Sequence, residues 1–116
     1  MNLNLDLVPA SLDEAVELLI ESLSFSELVI IKQSTVNNLH MSVGRYIRNV
    51  WSLWEQDTPL LMWFKTQYDI THPDDVSSII LDALISDLNG KPRSTERLVA
   101  GFIEHWRIHK NKLKKE

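Results

Sequence analysis

Apolar residues return at three- and four-residue intervals along most of the chain, the spacing that lines one face of a helix. Leu12, Ala15, Val16, Leu19 and Leu23 make the first stripe, with Asp13, Glu14, Glu17 and Glu21 on the other side. Ser11-Leu12-Asp13-Glu14 has the form of a capping box, in which the serine oxygen and the glutamate satisfy free amides at a helix start. A second box, Ser24-Phe25-Ser26-Glu27, opens a short helix carrying Phe25, Leu28 and Val29, and the two helices are expected to form a hairpin. The polar residues 33–38 read as a loop. A third helix then carries Leu39, Val43, Ile47, Val50 and Trp54 along one face.

Asp57-Thr58-Pro59 breaks that helix, with Pro59 suited to a first helical position. A short fourth helix presents Leu60, Leu61, Phe64 and Tyr68. His72-Pro73-Asp74-Asp75 opens a fifth, where proline pre-sets the backbone and the carboxylates complement the helix dipole. Its apolar arc (Val76, Ile79, Ile80, Ala83, Leu84, Leu88) is broad and its polar stripe (Asp75, Ser78, Asp82, Ser86) narrow, which predicts a central helix. Asn89-Gly90 stops it. Ser94 or Thr95 caps a sixth helix that buries Leu98, Val99, Phe102, Ile103 and Trp106. No strand-type alternation or internal repeat interrupts the pattern. The expected architecture is all-α, one compact domain of about six helices over residues 1–116. Residues 1–10 are an N-terminal extension and residues 110–116 a basic, frayed C-terminus.

Composition narrows the function classes. Without cysteine there is no disulfide, thiolate zinc site or cysteine nucleophile. No apolar run approaches the ~20 residues needed to span a bilayer, and the first residues lack the basic and apolar regions of a signal peptide, so the expectation is a cytoplasmic protein with no membrane partner. Residues 1–90 hold four Lys and Arg against thirteen Asp and Glu, net −9, whereas residues 91–116 carry +5. An acidic body argues against nucleic acid as partner, because phosphate neutralisation dominates that affinity. The basic end reads first as a solvated helix terminus whose cations suit the dipole.

Three constellations invite chemistry. Arg45, Arg48 and Ser52 share one face of the third helix, while Trp51 and Trp54 read as core, with an aromatic ligand groove as the sharper alternative. Gly44 inside a helix is unfavourable by up to ~1 kcal/mol and predicts close approach of another backbone. Asp74 and Asp75 can be an acid/base pair or ordinary helix-start carboxylates. Arg48, or Arg45, is expected to grip one of them in a bidentate pair, since a guanidinium fork matches a carboxylate. Finally, His105 and His109 stand one turn apart, a spacing that holds zinc in His-Glu-x-x-His helices. Trp106 replaces the glutamate, and a third ligand such as His40, His72 or Asp75 is required, so no metal and no cofactor are expected. Phosphate loops, nucleophile elbows and EF-hand loops are absent, and no catalytic residue is assigned.

Pro9-x-Ser11-Leu12-x-Glu14-Ala15, Ile47-Arg48-Asn49-x-Trp51-x-Leu53-Trp54 and His72-Pro73-Asp74-Asp75-x-Ser77-x-Ile79-Ile80-Leu81 together resemble a family of small bacterial proteins of unknown function. The similarity spans residues 9–90, with Val76 standing where methionine is expected. The resemblance implies no activity. It implies that Arg48, Asn49, Trp51, Trp54, His72, Asp74, Asp75 and Ser77 form one spatial unit. Two functions follow as expectations. One is a non-catalytic module binding a protein partner or itself, with Trp63 and Ile108 as interface residues if exposed. The other is a small hydrolase or ligand-binding domain built on Arg48, Asn49, His72, Asp74 and Asp75.

Overall fold

The computed structural model describes residues 7–55 and 57–114. Among them there are six helices and no strand, the all-α single domain the periodicity predicts. The helices are α1 (Leu12–Ser22), α2 (Phe25–Lys32), α3 (residues 36–50), α4 (Pro59–Tyr68), α5 (Pro73–Leu88) and α6 (Thr95–Lys114). The tail expected at residues 110–116 is helical to Lys114, and its last two residues, like residues 1–6 of the expected extension, lie outside the described set.

Helix α5 is the hub. Val76, Ile79, Ile80, Leu81, Ala83 and Leu84 are fully buried on it, and it packs against α1, α2, α3 and α6. It ends in a Schellman motif. Gly90 adopts φ +63°, Gly90 N–H donates to the Asp87 carbonyl, and Lys91 N–H donates to that of Ser86. Only a residue tolerant of the left-handed region closes a helix this way without strain. The next turn is pinned by Arg93, whose fork grips both oxygens of Asp87 (3.0 and 2.7 Å) while Nη1 reaches Asp13 on α1 (2.6 Å). The Asp87 bond, with that to Asp13, holds the Arg93 pKa well above its ordinary value.

Several local expectations change. The loop before α3 is shorter than residues 33–38, because Thr35 caps the helix by accepting from Asn38 N–H. Helix α3 contains a π turn at His40–Gly44. Residues spaced four apart drift about 40° per step around a regular helix of 3.6 residues per turn. The wide turn absorbs that drift, so Leu39, Val43 and Ile47 all stay buried. At Ser11 only half of a capping box forms: Ser11 Oγ accepts from Glu14 N–H, but the Glu14 carboxylate takes Ala10 N–H instead of the cap's own amide. The Ser24–Glu27 box is complete, and the Ser24 amide it accepts holds the Glu27 carboxyl below its ordinary value.

Helix α2 turns the other way from expectation. Ile31 is its buried residue, whereas Phe25 is 84% exposed and Val29 and Ile30 also face out. Phe25 lies about 120° around the helix from Ile31, so a face that buries Ile31 leaves Phe25 outside. Trp63 is half-buried, edge-on to Phe64 and Tyr68. Ile103, expected in the core, is exposed, as is Ile108.

Candidate functional site

The polar residues of the third and fifth helices meet around Arg48, which is 4% exposed. Its Nη1 donates to Ser77 Oγ (2.9 Å), its Nη2 to the His40 carbonyl (3.0 Å), and its Nε lies 3.5 Å from Asp74 Oδ1. Ser77, fully buried, donates onward to the Asp74 carbonyl. This corrects the expected bidentate grip. The two terminal nitrogens face a hydroxyl and a main-chain oxygen, and Asp74 meets only Nε. Among the described residues the bidentate forks are those of Arg93 on Asp87 and Arg107 on Glu104.

Gly44 makes room for the clasp. A Cβ there would sit 3.0 Å from Arg48 Nη1 and 3.3 Å from the Leu39 carbonyl. What approaches the glycine is therefore a guanidinium and its own wide turn, with the Leu81 side chain behind, and not another helix backbone as expected.

Asp75 faces away from Arg48. Its carboxylate accepts from Trp106 Nε1 at 2.8 Å, tying α6 to the start of α5. The Trp106 ring stacks over His72 at a 25° tilt (centroids 5.3 Å apart), and Trp54 meets His72 edge-on at 6.0 Å. His72 is the N-cap of α5: its Nδ1 accepts from Asp74 N–H at 3.1 Å. Nδ1 also stands 4.0 Å from Asp74 Oδ2, but an ion pair there requires a proton on the nitrogen that the shorter contact needs bare. The amide contact is the better geometry, so the ring hydrogen belongs on Nε2.

The two tryptophans of the third helix separate. Trp51 is buried, its indole N–H without a partner among the described residues, and belongs to the core. Trp54 is 61% exposed, against the expectation of core. The cause is the chain reversal after α3, where Ser52 takes the left-handed region at φ +51°. Ser52 N–H donates to the Asn49 carbonyl and Leu53 N–H to that of Arg48. This is a Schellman closure with serine in the glycine position, strained by roughly 1–2 kcal/mol. It sends Leu53 into the core and Trp54 outward. Beside Trp54 lies a groove of about 320 Å³ lined by His40, Met41, Arg45, Arg48, Asn49, Trp54 and Asp74.

Of the eight residues expected to share one unit, Arg48, Asp74 and Ser77 form the clasp, and Trp54, His72 and Asp75 join through ring contacts and Trp106. Asn49 touches the same groove, and Trp51 stands apart in the core. His105 and His109 stack at 6.4 Å with rings nearly parallel, and among the described residues no third His, Asp or Glu converges on them. Sequence reasoning missed two contributors. Trp106 read as plain core and carries the bond to Asp75; the His40 carbonyl becomes an acceptor only because the π turn presents it to Arg48. No described helix is long and apolar enough to cross a membrane.

No curated protein and no solved structure matches this chain. A family model described as a domain of unknown function (DUF6794) matches residues 8–88, from the approach to α1 to the end of α5 and including Arg48, Asp74, Asp75 and Ser77; the chain belongs to that family.

Proposed function

We propose that the protein is a non-catalytic helical module of the bacterial cytosol, binding a protein partner or a second copy of itself in a regulatory or toxin-neutralising role. The observation that carries this reading is that the polar cluster is consumed by its own fold. Each guanidinium nitrogen of Arg48 has a partner, Ser77 is sealed from solvent, and His72 Nδ1 is occupied by the main chain. A catalytic constellation needs groups converging on a shared space where a reacting atom can sit. Asp74 and Asp75 instead turn to different partners, Arg48 and Trp106. Arg48, His72, Asp74, Asp75 and Ser77 then work as scaffold, fixing α3, α5 and α6 so that surface residues hold position.

The test combines light scattering after size exclusion with cross-linking and mass spectrometry of tagged protein in its native host. The expected result is a dimer or one stoichiometric protein partner. A strict monomer that cross-links to nothing refutes the reading.

A further inference from the structure

Beside the scaffold, the groove between the π turn and Trp54 has a chemistry the scaffold does not use. Arg48 and Asp74 on its floor face each other, and His40 Nε2 stands 3.9 Å from Asp74 Oδ1. Arg45, on the rim, is exposed, and among the described residues its side chain makes no ion pair or hydrogen bond. The paired floor contributes no net charge, so among the described residues the groove presents Arg45 as its free cation, within residues 1–90 whose net charge is −9. Met41 and Trp54, 60% and 61% exposed, supply its apolar rim. Trp54 is held there by the strained turn at Ser52 and by the edge of His72. The strained turn is repaid by burial of Leu53, but apart from its edge contact with His72 the Trp54 indole is left largely in water. Arg, Trp and Met are the side chains enriched in the energetic centres of protein interfaces.

Resting on the interaction-module reading, we infer that this groove docks a short segment of a partner protein in which an acidic side chain stands next to an apolar one. The carboxylate pairs with Arg45 beside the Asn49 amide, and the apolar side chain lies between Met41 and Trp54. Charge decides the occupant. A lone guanidinium matches one carboxylate, whereas a polyphosphate chain meets the repulsion of the acidic body. Size agrees, because about 320 Å³ lies at the small end of the ~300–1,000 Å³ usual for ligand sites and fits a few side chains, not a large cofactor.

The probe is a displayed library of random twelve-residue peptides selected against the full chain, with enriched sequences resynthesised and titrated by tryptophan fluorescence and amide NMR. The expected peptides carry Asp or Glu beside Leu, Ile or Phe, shift the signals of Met41, Arg45, Asn49 and Trp54, and bind more weakly at high salt. Arg45→Glu is expected to weaken them at least tenfold and to favour Lys- or Arg-bearing peptides on reselection; Trp54→Ala weakens them to a similar degree. Both side chains are exposed, so unchanged melting curves serve as the folding control. Binding indifferent to Arg45→Glu, a consensus without acid, or no enrichment at all overturns the groove. So do peptides that bind but shift Phe25 and Val29, although that result leaves the module reading intact, which falls only to the monomer-without-partner outcome above.

Discussion

Replacing Arg48 with alanine probes the clasp most directly. The substitution removes the Nη1 bond to Ser77 and the Nη2 bond to the His40 carbonyl, both in a buried setting. Hydrogen bonds to a charged group contribute about 1.5–3 kcal/mol each. The Asp74 contact adds little, because that carboxylate is 43% exposed and rehydrates when its partner goes. Ser77 keeps its own donation to the Asp74 carbonyl, which limits the loss on that side. The total comes to about 3–5 kcal/mol, within the range for breaking a buried charged pair. At roughly 4 °C per kcal/mol for a domain of this size, the melting midpoint falls by about 12–20 °C. Urea unfolding with an unchanged slope checks that the effect is on stability and not on compactness. Arg48→Lys recovers part of the loss at most, since one ammonium cannot span both acceptors. Arg45→Ala, one turn away and with no side-chain partner among the described residues, stays within ~0.5 kcal/mol. If Arg48→Ala moves the midpoint no further than Arg45→Ala, the clasp is not what holds α3 to α5.

Gly44→Ala is expected to lower the melting point despite the ~1 kcal/mol helix-propensity gain, because the added methyl meets Arg48 Nη1 and the Leu39 carbonyl; a rise in thermal unfolding would refute the crowding. Trp106→Phe keeps a ring over His72 but deletes the bond to Asp75, and amide exchange should quicken in residues 105–110 of α6 while α5 is unchanged. His72→Ala removes an N-cap acceptor and should cost about 1 kcal/mol, with His72→Asn recovering most of it; long-range nitrogen NMR of the native ring should show the hydrogen on Nε2, and an Nδ1–H tautomer would contradict the cap. Glu27 has its carboxyl held below the ordinary 4.5, so its contribution to the α2 cap is full above that value and is lost as pH falls through the lowered one. The protection of the Ser24 amide, its exchange slowing relative to the unstructured rate at the same pH, should therefore fall on acidification below that value, and protection that does not change with pH would remove the assignment.

The helices were legible because burial and periodicity agree: α1, α4 and α5 begin and end close to their caps and breakers. What could not be read were the places where one residue's neighbours in space override its spacing. Phe25 and Ile31 compete for the inner side of an eight-residue helix, and no pattern says which wins. Trp54 follows a helical stripe on paper, yet the left-handed turn at Ser52 ends the helix first, and serine gives no glycine signal for it. The juxtaposition of Arg48 with Asp74 followed from scarcity of cations. Its geometry did not, because the His40 carbonyl is available only where the backbone widens. Trp106 was silent for a similar reason: its hydrogen-bond partner lies 31 residues away.

The wide turn at His40–Gly44 also makes the chain length between Thr35 and Arg48 a structural quantity. Met41 and Ser42 are surface residues, and losing either one looks harmless by exposure. With one residue fewer the segment relaxes into ordinary helix, and Leu39 then stands three residues before Val43 and seven before Ile47, the spacing of one regular helical face, so the two halves keep their facing and Leu39 stays in the core. What the deletion takes away is the widened backbone: the His40 carbonyl that receives Arg48 is drawn back into the helix ladder. An added residue does the opposite, turning everything upstream by about 100° relative to the downstream half, while substitutions at Met41 and Ser42 would pass almost unnoticed.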